Sequence, residues 1–114
     1  SNSPLSVEEL EKIERTNLYG LELHHLRLLA HCLACFKAMS QDLSEGPLPE
    51  EKHRLRWCLN QPSLIKERSF IPILLEQFSA AASQFEELAA ALKISPLELT
   101  LEDLIKAKCD SLDP

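Results

Sequence analysis

The fold follows from SFIPILLEQFSAAASQFEELAAALK, residues 69–93. Ile71, Leu74, Phe78, Ala81, Phe85, Leu88 and Leu92 follow 3-4-3-4-3-4 spacing without a break. Those are the knob positions of a seam between packed helices, so the spacing predicts one long helix over 69–93. Pro72 falls in its first turn, where a missing N–H breaks no intrahelical bond. The block Ala80-Ala81-Ala82 would let a neighbouring helix approach closely.

The segment 21–41 reads as helical and is unusually apolar. At helical spacing, Leu21, His25, Leu26, Leu28, Leu29, Cys32, Leu33, Phe36 and Met39 share one broad arc. His24, Arg27, His31 and Lys37 fall largely outside it. An arc of nearly half the circumference exceeds the stripe of a surface helix, so this helix is expected at the centre of the fold. Ser6 and Glu9 form a capping-box pair that opens a first helix running to about Thr16, with Leu10 and Ile13 as its apolar stripe. A third helix is expected after Pro47, with Pro49 in its first turn, ending before Pro62. Downstream, Ser95-Pro96-Leu97-Glu98 repeats the capping signal, and Thr100 to Asp103 gives it once more. One short turn and then a helix over about 101–110 should result.

Only two glycines, Gly20 and Gly46, interrupt a chain dominated by helix formers. The expected fold class is all-α, a compact bundle of four to five helices with mainly antiparallel neighbours. The 114 residues suit one domain over 1–114, with 1–5 unstructured or a remnant of expression and 112–114 frayed. No apolar run approaches the roughly 20 residues of a membrane span. Ser1-Asn2-Ser3-Pro4 lacks the basic and apolar regions of a secretory signal.

Twelve basic and 18 acidic side chains give a net charge of −6. Such a surface disfavours nucleic acid and anionic membranes as partners. The charge is unevenly spread. Lys52, Arg54, Arg56, Lys66 and Arg68 face only Glu67 within 52–68, a local net of +4, which leaves −10 for the rest. Cys32, Cys35, Cys58 and Cys109 read as reduced thiols packed as small hydrophobes, which points to a cytoplasmic protein.

Few residues are arranged for chemistry. His24, His25, His31, Cys32 and Cys35 resemble a metal cluster in composition. Only His31–Cys35 and Cys32–Cys35 have helical ligand spacing, and His53, Cys58 and Cys109 lie on other segments. A metal- or haem-binding module through the second helix is therefore a distant alternative, and neither a metal site nor a cofactor is expected. No signature of a nucleophilic cysteine and no glycine-rich phosphate loop occurs, so no enzyme activity and no small-molecule substrate are inferred.

The pattern x-E-L-A-x-x-L-x-I-S-x-x-x-L, from Phe85 through Leu99, resembles the helix-turn-helix unit of small DNA-binding regulators. The resemblance implies a helix contact at Ala89, a plug at Ile94 and a recognition helix from about Pro96 to Ile105. A DNA-binding regulator using 85–105 is the alternative function it suggests. That helix would carry Glu98, Glu102 and Asp103, which phosphate repels, where a DNA reader carries Arg, Lys, Gln, Asn or Ser.

In the third helix, Leu55, Cys58 and Leu59 read as the core stripe, with Trp57 off it beside His53, Arg54 and Asn60. A Trp flanked by arginines has the composition of an interface anchor. The function expected is thus a small non-enzymatic interaction module, an adaptor or regulatory subunit. Its partner is another protein, contacted through Arg54, Arg56, Trp57, Lys66 and Arg68. Surplus apolar surface on the second or fourth helix would also allow a homodimer.

Overall fold

In the computed structural model, which describes residues 4–41 and 43–112, three of the helical segments begin at side-chain caps. The Ser6 hydroxyl accepts from the Glu9 N–H and the Glu9 carboxylate accepts from the Ser6 N–H, both at 3.1 Å, opening α1 (Val7–Glu14). After it come α2 (Gly20–Met39), α3 (Glu51–Leu59), the short α4 (Pro62–Ile65) and α5 (Phe70–Leu92). A 3-10 turn (Pro96–Glu98) leads into α6 (Leu101–Leu112). Reciprocal bonds between Ser95 and Glu98 close the turn, and reciprocal bonds between Thr100 and Asp103 start α6. Every regular element among the described residues is helical, none is a strand, and five of the six α-helices are substantial. The expectations for 1–3 and 113–114 lie outside the described residues, while Leu5 packs on the core and Leu112 closes α6.

The core forms where α2 crosses α5. Phe36 meets Phe78 at 5.3 Å between ring centroids and Phe85 at 5.9 Å, edge to face in the second case. All three rings are excluded from solvent. Ala81, Ala82 and Ala89 are buried on the same helix, and their small side chains keep the neighbours close. Helix α2 is buried on a wide front, from Leu26 through Met39, as its broad apolar arc requires. Leu97, Leu99 and Leu104 seal the end of the core beside α6.

Several apolar residues do not join this core. Leu10, Leu21 and Leu92 are exposed, at 39%, 84% and 45%. Helix α1 is only two turns long and commits Ile13 alone to the interior. Leu21 and Leu92 sit in terminal turns of α2 and α5. Helix α1 also stops earlier than predicted, since Arg15 caps it and the Thr16 hydroxyl donates to the Ile13 carbonyl at 2.7 Å. Pro49 precedes the N-cap Glu50 instead of occupying the first turn of α3. Its carbonyl is taken by the Arg54 side chain, so the helix starts beyond it.

Helix α5 ends on Lys93 in the left-handed conformation, φ 60°, with the Ile94 N–H bonded to the Ala89 carbonyl at 3.0 Å. A residue with a Cβ is strained there, where glycine is not. Lys93→Gly is expected to stabilise the fold by about 1 kcal/mol in urea denaturation.

Candidate protein-binding surface

Helix α3 carries its cations on two different faces. Cys58 is fully buried, and Trp57 is half-buried with its ring 6.4 Å from that of Phe78. The Arg54 Nε–H donates to the Pro49 carbonyl at 2.8 Å, and its guanidinium lies 5.2 Å from the centroid of Phe36. The inner face of α3 is therefore Arg54, Trp57 and Cys58. Leu55 and Leu59 point outward, 41% and 39% exposed, which corrects the apolar stripe read from the sequence. An arginine stem covers apolar surface as well as a leucine does, and its charged fork gains from the face of an aromatic ring.

Arg56, Lys66 and Arg68 are exposed. Lys66 and Arg68 belong to the turn between α4 and α5, and Arg56 to the outer side of α3. Beside them Leu55, Leu59, Ile65 and Phe70 also face solvent. Outside this segment five of seven cations are in ion pairs: Lys12 with Glu102, Arg15 with Glu11, Arg27 with Glu14, Lys106 with Asp110 and Lys108 with Glu22. Lys37 donates to the Leu97 carbonyl, and Lys93 joins no ion pair among the described residues. Among the described residues, no cation of 52–68 joins an ion pair.

At one edge of this surface lies an open cleft of about 650 Å³. One wall is Met39 and Leu43 with Pro47, and the other is Lys52, His53 and Arg56. Bonds across the fold hold the loop between them. The Gly46 N–H donates to Ser95 Oγ at 2.9 Å, and the Gly46 carbonyl accepts from the Leu97 N–H at 3.1 Å. Gly46 has φ +128°, a conformation that needs glycine. The sequence marked 44–49 only as punctuation between helices. Nothing in it brings Met39 and Leu43 to Arg56.

The other candidates resolve into packing. Among the described residues, no three His, Cys, Asp or Glu side chains are placed to hold a metal ion. His25 Nδ1 lies 2.6 Å from Lys108 Nζ, and burial followed by that neighbouring charge pushes the imidazole pKa below its usual value. The helix-turn-helix resemblance loses its second helix: Leu99 is extended, so 96–105 divides into the 3-10 turn and α6. Ala89 is buried and Ile94 packs on the core, as a packing motif requires.

All four cysteines are free thiols, with Cys32, Cys35 and Cys58 buried and Cys109 partly exposed. Burial pushes the Cys32 and Cys35 thiols up from 9.0 to about 12, Cys35 with a smaller push from its neighbouring thiols. The unfolded chain ionises these groups at lower pH than the fold does. Their contribution to stability is therefore complete below about pH 9 and lost as pH rises toward about 12. Alkaline denaturation curves should show that loss. At mildly alkaline pH a thiol reagent should label Cys109 in the native protein and the other three only on unfolding.

Comparison with known proteins gives one finding. The family model described as NDH complex assembly factor CRR9 matches residues 5–111. No curated protein and no solved structure matches the chain. No helix among the described residues is long and apolar enough to cross a membrane.

Proposed function

The chain belongs to the CRR9 family of NDH complex assembly factors, and on that premise we propose that it acts by binding other proteins while such a complex is put together. The role requires no chemistry of its own. The contact surface is the basic segment, with Arg56, Lys66 and Arg68 touching the partner and Arg54 and Trp57 holding α3 in place beneath them. One observation carries this reading: Arg56, Lys66 and Arg68 are exposed and join no ion pair among the described residues of a chain of net charge −6, beside exposed Leu55, Leu59, Ile65 and Phe70. Charge of one sign around apolar side chains steers encounter and then holds contact. Free thiols suit a reducing compartment, such as the cytoplasm.

The test is capture of NDH complex subunits by the purified protein. Arg56→Glu with Lys66→Glu and Arg68→Glu should weaken capture at least about tenfold, chiefly through slower association, with the melting temperature unchanged. Undiminished capture by this triple variant would exclude the surface.

A further inference from the structure

We propose that the cleft between the end of α2, the 43–49 loop and α3 seats an extended, acidic peptide segment of a partner protein, one that also carries apolar side chains. The proposal rests on the assembly-factor reading and names the partner chemistry at one edge of that surface. The two walls differ in kind. Lys52, His53 and Arg56 present nitrogen groups that make no hydrogen bond or ion pair with any other described residue. Opposite them are Met39, Leu43 and Pro47, with Leu43 left 61% exposed. Glu50 is the one carboxylate among the described residues lining the cleft.

Charge complementarity selects an anionic occupant, and the apolar wall selects among anions. A nucleic-acid backbone would satisfy the cations and leave Leu43 and Pro47 against a hydrated phosphate chain. A peptide with alternating acidic and apolar side chains satisfies both walls at once, because successive side chains of an extended strand point to opposite sides. The volume, about 650 Å³, lies within the range of ligand-binding clefts. Part of the cleft is built in advance. Arg54 ties Pro49 to the core, and the two bonds of Gly46 tie the loop to Ser95 and Leu97, so binding need not order residues 46–49.

The experiment measures fluorescence anisotropy of a labelled synthetic peptide of repeated Asp-Leu-Glu-Leu units against the full chain. Poly-glutamate, a Lys-Leu repeat and a single-stranded DNA oligonucleotide serve as competing probes. The Asp-Leu-Glu-Leu peptide should bind at least about tenfold more tightly than any of the three, a difference of about 1.4 kcal/mol. Lys52→Glu with Arg56→Glu should remove that binding, and so should Leu43→Asp, which leaves every cation in place. Lys66→Glu with Arg68→Glu should leave it intact. Equal binding of poly-glutamate, or tighter binding of DNA, would overturn the proposal, as would indifference to Leu43→Asp. Loss of subunit capture in the triple variant with no peptide binding would dismiss the cleft alone and leave the wider surface standing.

Discussion

Phe85→Ala is expected to cost about 3–5 kcal/mol, a large share of a small domain's stability. Phe85 is 1% exposed and stands edge to face against Phe36, which in turn touches Phe78. Removing the ring opens a cavity at the crossing of α2 and α5, where Ala81, Ala82 and Ala89 offer no side chain long enough to fill it. Urea denaturation followed by far-ultraviolet circular dichroism measures the loss. A change below about 1 kcal/mol would mean that the crossing of these helices is not the centre of the core.

Arg54→Ala is expected to cost about 2 kcal/mol, although the residue belongs to the basic segment of an acidic protein. It removes a charge-assisted bond to the Pro49 carbonyl and the cation above Phe36 together. The Pro49 carbonyl then loses its side-chain partner at the wall of the cleft. Arg54→Lys should recover little of the loss, because an ammonium cannot both donate along the Nε direction and lie flat over a ring. Arg56→Ala, on the outer side of the same helix, should leave stability within about 0.5 kcal/mol of the original. A surface role for Arg54 would instead make the two alanine variants alike in stability.

These two residues also mark where the sequence is readable. The seam around Phe85 is visible because 3-4 spacing persists over 23 residues of helix, more than chance or another period would allow. The caps at Ser6, Ser95 and Thr100 are equally visible, since each pairs an oxygen acceptor with a carboxylate three residues later. Helix α3 has nine residues and few apolar ones, so its orientation rests on what its neighbours offer. Phe36 and Phe78 accept Arg54 and Trp57, and no pattern within 51–59 encodes that. The cleft depends on a loop held by Ser95 and Leu97, some 50 residues distant, and is invisible for the same reason. The break at Leu99 ends a helix that the helix-turn-helix resemblance would continue, because two capping signals follow in succession and each starts its own segment.

The proposed surface is open to one decisive measurement, hydrogen–deuterium exchange of the protein alone and mixed with NDH complex subunits. Protection gained on mixing is expected to concentrate in 43–68, across the cleft loop, α3 and the basic turn after α4. Protection confined to α1 and α6, with 43–68 exchanging as in the free protein, would contradict that surface.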